Sequence, residues 1–124
     1  MWVVAVNGRW THRLIGDIGK WHKRKHGEMT FHMTQVLTGH GCFNAYLKRF
    51  GKSETDACAQ CGASPDDAEH AVFRCDAWQR WRIEACVYLG VENLTPENVI
   101  NVMLESSAAW ARVERLFSRI MGIR

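Results

Sequence analysis

The feature that most constrains this chain is a run of four metal-ligand side chains. Cys58-Ala59-Gln60-Cys61 is followed by His70 and then Cys75, in the spacing C-x2-C-x8-H-x4-C. Zn2+ takes four ligands in a tetrahedron, and three cysteines with one histidine form one of its ordinary structural sets. A two-residue gap lets both thiolates of a tight turn point at one ion, and Gly62 directly afterwards can take the positive φ such a turn needs. His70 and Cys75 are five apart, or ~140° out of phase on a regular α-helix at ~100° per residue. One regular helix therefore cannot aim both at one ion. We expect a helix opened by Ser64-Pro65-Asp66-Asp67 that carries His70 and ends near Phe73 or Arg74, leaving Cys75 outside, before a cap at Asp76. Four protein ligands imply one structural Zn2+; a hydrolytic centre would need an open coordination position and a nearby base. The competing reading makes them three reduced, buried cysteines and a surface histidine. Cys42 and Cys86 fall outside the pattern and read as small core residues.

Five cysteines are an odd number, so a pure disulfide framework would strand one thiol. Residues 1–6 are apolar but too short for a signal peptide, and no apolar run approaches the roughly 20 residues of a membrane helix. The expectation is a soluble, intracellular protein with no membrane partner and with reduced cysteines. The sequence has no G-x-S-x-G, no G-x-x-x-x-G-K-[ST] and no H-E-x-x-H. Gly39-His40-Gly41-Cys42 contains a Cys/His pair, but adjacent residues seldom meet productively. No catalytic residue, no small-molecule substrate and no enzymatic activity are expected.

The fold class reads as mainly α: a small helical domain built around the Cys3His cluster. Trp10, Leu14, Ile18 and Trp21 recur at helical spacing, with Asn7 or Thr11 available as a cap and Gly27 ending the stretch. Phe31, Met33, Val36 and Leu37 mark a second helix, broken at Gly39-His40-Gly41. Phe43, Tyr46, Leu47 and Phe50 mark a third, stopped by Gly51. Asp76 and Gln79 form a capping pair before Trp78, Trp81, Ala85 and Leu89, with Gly90 closing. Leu94-Thr95-Pro96 is another start, and Trp110, Val113, Phe117 and Ile120 form a last stripe ending at Gly122. Strand character is confined to residues 2–6. The organisation expected is a basic helical segment over 1–52, a zinc-knuckle segment over 53–90 and C-terminal helices over 91–124, within one compact domain.

Charge is unevenly spread. Residues 1–52 hold nine Lys and Arg against two acids, a balance of +7, and the remainder balances at −4. A basic half suggests a polyanion partner; a solvated face with no partner explains it equally well. The candidate nucleic-acid contacts are Lys20, Lys23, Arg24, Lys25, Lys48, Arg49 and Lys52, with Arg74 and Arg80 flanking the zinc loop. His22, His26 and His40 are candidates for hydrogen bonds to phosphate or base.

Thr38-Gly39-His40-Gly41-Cys42-Phe43, followed by the cluster Cys58, Cys61, His70 and Cys75, resembles the C-terminal segment of LINE-type (non-LTR) retrotransposon polyproteins. Thr11, Leu14, Ile15 and Trp21 are similar too, so the likeness covers roughly residues 9–90. Relatives place Pro after the last Cys and after the Leu-Ile pair; here Asp76 and Gly16 stand there. The resemblance implies a CCHC zinc knuckle at the end of a reverse transcriptase, holding element RNA or target DNA in the nucleus or a cytoplasmic ribonucleoprotein. It also implies a possible docking partner in the polymerase core of the parent. The polymerase, endonuclease and RNase H motifs are missing, which implies a fragment, degenerate copy or excised domain without reverse transcriptase activity.

Overall fold

The computed structural model describes residues 6–16, 18–39, 43–51 and 54–123, apart from the side chains of 6–9, 18, 45, 46 and 49. Of the strand expected at residues 2–6, Val6 instead opens α1, and residues 2–5, the core role of Cys42 and the side chains of Ile18 and Tyr46 lie outside what is described. The described residues are mainly helical, with no strand among them. The α-helices are α1 (Val6–Ile15), α2 (Ile18–His22), α3 (Phe31–Thr38), α4 (Asn44–Arg49), α5 (Gln79–Leu89), α6 (Val99–Leu104) and α7 (Ser107–Ile123). A π-helical turn (His70–Arg74) and a 3-10 turn (Asp76–Trp78) lie between α4 and α5.

Helix α7 is the organiser, packing against α6, α3 and α5. Its inward face is Ala109, Trp110, Val113, Leu116, Phe117, Ile120 and Met121, all buried. Met33, Val36 and Leu37 from α3 and Val99, Ile100, Val102 and Met103 from α6 join the same cluster, which also includes Cys58 and Cys75. Helix α7 runs one residue past Gly122, where a stop was expected: Gly122 is exposed in the last turn and does not take the positive φ that ends a helix in the left-handed conformation.

The stretch expected as one helix from Trp10 to Trp21 is two. Gly16 takes φ +46 and its N–H bonds back to the His12 carbonyl, so the chain turns between α1 and α2. Thr11 is not a cap. It lies inside α1 and donates to the Leu37 carbonyl at 2.7 Å, while the Trp10 indole N–H donates to the Val36 carbonyl at 2.8 Å. Those carbonyls belong to the last turn of α3, where no intrahelical donor remains. Thr30 caps the start of α3 through its hydroxyl, and Gly39 closes it at φ +74. Thr95 and Asn98 exchange bonds, each side chain accepting from the other's backbone N–H, which sets the entry to α6 three residues after Pro96.

Trp110 holds the basic turn that follows α2. Its ring lies 5.4 Å from that of Trp21, meets His26 edge-on at 6.0 Å and has the Arg24 guanidinium 5.4 Å from its centre. Its indole N–H donates to the Glu28 carbonyl. Gly27 passes so close that a Cβ there would sit 2.5 Å from the Trp110 ring, at a φ of +103 that side-chain-bearing residues rarely adopt. The sequence marks Gly27 as a helix stop; the packing makes it a close-approach residue.

Candidate metal centre

Cys58 and Cys61 come from a tight loop closed by two backbone bonds, Cys58 N–H to the Ala63 carbonyl and Gly62 N–H to the Cys58 carbonyl, at 2.7 and 2.8 Å. Gly62 has φ +80, the conformation the C-x2-C turn demands. The second pair comes from the π-helical turn. Cys75 N–H bonds to the His70 carbonyl at 2.7 Å, an i→i+5 link that widens the turn and lets residues five apart approach one face. Cys75 itself is extended, with φ −62 and ψ 123, so it stands just outside the helix as expected. The helix start differs from expectation. It falls at residue 68, and its cap is Asp67, whose carboxylate accepts from the His70 N–H at 2.9 Å. Asp76 forms no side-chain cap; the 3-10 turn instead bonds Trp78 N–H to the Cys75 carbonyl, so the orphan donor is already satisfied by backbone.

The four donor atoms all lie within 4.8 Å of one another and could hold one metal ion. Cys58 Sγ and Cys75 Sγ are 3.8 Å apart, and Cys61 Sγ lies 3.2 Å from His70 Nε2. Tetrahedral Zn2+ with Zn–S of about 2.3 Å needs a sulfur–sulfur edge of about 3.8 Å, and a sulfur–nitrogen edge of about 3.5 Å. The first matches and the second is within a few tenths of an ångström. Cys58 and Cys75 are buried, His70 is half-buried and Cys61 is exposed, so the centre sits at the rim of the core. Burial pushes the Cys75 thiol up to about 12, with the neighbouring thiols Cys61 and Cys58 adding to the rise. Three thiolates gather there only with a cation to neutralise them; without one the buried groups are thiols. Cys86 is buried apart from the four, its thiol raised by burial, as a core residue should be.

Two residues that support this centre were not singled out from the sequence. Arg82 on α5 donates to the Cys75 carbonyl at 2.6 Å and to the Val72 carbonyl at 3.3 Å, closing carbonyls at the end of the widened turn. Burial lowers its pKa while the Cys75 thiolate opposes that shift. Asp66, expected as a first-turn acid, is fully buried and caps another element: it accepts from the Asn44 N–H, the first residue of α4, at 2.9 Å. Asn44 in turn donates to the Ala57 carbonyl, so the metal loop and α4 are locked together. Replacing Arg82 by Met is expected to leave two carbonyls short of a donor, costing about 1–3 kcal/mol. It should also weaken metal affinity about 10–100-fold, as loss of an outer-shell partner does. Competition with a chromophoric chelator measures the second effect.

The candidate nucleic-acid contacts fall into three groups. Lys20, Lys23, Lys25 and Lys48 are exposed. Arg24, Arg74 and Arg80 are engaged. Arg24 stacks between Trp21 (4.4 Å) and Trp110 and donates to the Trp21 carbonyl. Arg74 pairs with Glu69 at 3.0 Å, a carboxylate that Arg13 also holds, and the two arginines keep it below its usual range against the opposing effect of burial. Arg80 faces Glu84 at 3.9 Å while remaining highly exposed. His40, Lys52 and the side chain of Arg49 lie outside the described residues. His26 bonds the Met103 carbonyl at 3.0 Å and serves packing, and His22 is exposed. No helix among the described residues is long and apolar enough to cross a membrane.

No protein-family model matches the chain, and no solved structure does. Curated proteins do. The chain is 37% identical over 81 residues to the Retrovirus-related Pol polyprotein from type-1 retrotransposable element R1 2 of Nasonia vitripennis, covering 65% of this chain and 20% of that protein. It is 32% identical over 81 residues to the R1 Pol polyprotein of Bradysia coprophila, covering 65% and 8%. A further Nasonia vitripennis polyprotein, R1 3, is 33% identical over 82 residues, covering 65% and 21%. The homologues of this chain are therefore Pol polyproteins of R1 non-LTR retrotransposons, and it spans about a fifth or less of their length.

Proposed function

We propose that this chain is a zinc-stabilised, nucleic-acid-binding domain from the C-terminal region of a retrotransposon reverse transcriptase, where it helps to hold element RNA or target DNA. The donor set supports zinc: three thiolates and an imidazole suit this borderline ion, and four protein donors leave no open position for chemistry. The ion supplies folding energy and ties the residue 58–75 segment to the core. The observation that carries the nucleic-acid reading is the turn after α2. Lys20 in α2 and Lys23 and Lys25 just after it are exposed, beside a backbone pinned by Trp110 through Arg24, His26, Gly27 and Glu28. Lysines on a fixed support meet phosphates without first ordering the loop, giving affinity with little sequence choice.

Fluorescence anisotropy with a short single-stranded RNA tests this. With about four phosphate contacts and a single-strand slope near −0.7 per contact, doubling the salt weakens binding by roughly sevenfold. Reversing Lys20, Lys23 and Lys25 to Glu should abolish binding at moderate salt with the fold intact by circular dichroism. Affinity unchanged by salt rules the electrostatic reading out, and affinity unchanged in the lysine variant rules out the lysine turn as its contact surface.

A second reading has its own observation. Ile83 and Val87, one turn apart on α5, are 55% and 77% exposed. The relatives are several times longer than this chain, and an apolar helix face suits docking on the polymerase core of such a parent. Val87→Asp would break that contact, and the lysine reversals would spare it.

A further inference from the structure

The acidic balance of residues 53–124 hides a cationic stripe. Arg112, Arg115 and Arg119 stand at i, i+3 and i+7 on α7, within about 60° of helix rotation, and span about 10 Å along the axis. All three line the groove between α7 and α5, together with Trp81 and Glu84 and above buried Leu116. Glu114, the one acid of α7, lies about 100–160° around the helix from the three arginines, where it accepts from Thr30 and Ser118. Glu84 faces Arg80. None of the three arginines is in an ion pair among the described residues.

Two of the guanidiniums are held by aromatic rings. Arg119 lies 4.0 Å from the centre of the Trp81 ring, itself stacked on Trp78 at 5.1 Å, and Arg112 lies 5.0 Å from the centre of Tyr88. A ring occupies the face of a guanidinium and leaves N–H donors at its edge, so stacking orders the fork without consuming it. An ordered fork is what bidentate phosphate recognition uses. Three forks spread over about 10 Å can meet neighbouring phosphates of one strand.

We infer that the groove between α5 and α7, through Arg112, Arg115 and Arg119, binds the phosphate backbone of a single-stranded nucleic acid, as a second contact surface distinct from the lysine turn after α2. The inference rests on the reading of this chain as a nucleic-acid binder, and it adds residues from the half of the chain whose net charge argues against them.

The test compares the zinc-loaded wild-type chain, an R112Q/R115Q/R119Q variant and the Lys20, Lys23 and Lys25 to Glu variant, each titrated with a twelve-nucleotide single-stranded RNA and its DNA counterpart across a salt series. The arginine variant is expected to bind at least about tenfold more weakly, with the salt slope reduced by about 2. Because Arg112 and Arg119 also pack on rings, Arg115→Glu is the companion variant: it is exposed and stacks on no ring among the described residues, and a loss of about fivefold is expected from it alone. Loss in the arginine variants with binding retained in the lysine variant would uphold the groove and sink the lysine-turn reading. Unchanged affinity and slope in both arginine variants, with loss in the lysine variant, would overturn the groove and leave that reading standing; the stripe would then be free for an acidic protein face. No binding by the wild-type chain to either oligonucleotide would overturn both.

Discussion

Changing Cys75 to Ser should reduce bound zinc from one ion per chain to none and remove most of the cooperative unfolding transition. Cys75 is fully buried, bonds backbone to backbone with His70, and faces Cys58 across 3.8 Å. Structural zinc contributes on the order of 10–16 kcal/mol of apparent binding energy at neutral pH. A whole domain is stable by only about 5–15 kcal/mol. Losing the ion therefore exceeds what the chain can spare, even with α3, α6 and α7 sharing a core of their own. Two companions separate metal from packing. Cys61→Ser removes an exposed donor, so its damage is metal loss alone. Cys86→Ser perturbs a buried thiol outside the cluster and should keep full zinc occupancy. Zinc content by mass spectrometry and helicity by circular dichroism read both quantities. A Cys75→Ser chain that folds with one zinc would sink the four-donor centre.

Trp110→Ala carries the second large effect. The residue is 4% exposed and is shared by α7 and the turn after α2. Removing the indole leaves a large cavity, at a cost of about 3–5 kcal/mol for such a truncation. For a domain of this size that lowers the melting temperature by roughly 10 °C or more. The consequence is also functional, since Arg24, His26 and Gly27 lose the ring they rest on, and the lysines beside them lose their fixed placement. Trp110→Phe separates the two: it keeps most of the buried volume but drops the N–H that reaches the Glu28 carbonyl. Its stability loss should be about 1–2 kcal/mol. A full-cost Phe variant, or an Ala variant that melts like wild type, would contradict this account of the hub.

Sequence alone determined the helical class, the breaks at Gly39, Gly51 and Gly90, the inward stripe of α7 and the four donors, because periodicity, left-handed glycines and ligand spacing are local properties. It also excluded a regular helix through both His70 and Cys75, without indicating that a π-helical turn resolves the conflict. What it could not determine lies across the fold. Arg82 reaches Cys75 only because α5 folds back over the turn, and Asp66 serves α4 from 22 residues away. Trp10 and Thr11 look like parts of one helix and are used to close another. Arg112, Arg115 and Arg119 stand at helical spacing but were not singled out from the sequence, because net charge averages over sequence, while a ligand meets charge as it is distributed on a surface. Only tertiary packing turns Glu114 away, stacks two of the arginines on Tyr88 and Trp81, and decides which cations remain exposed.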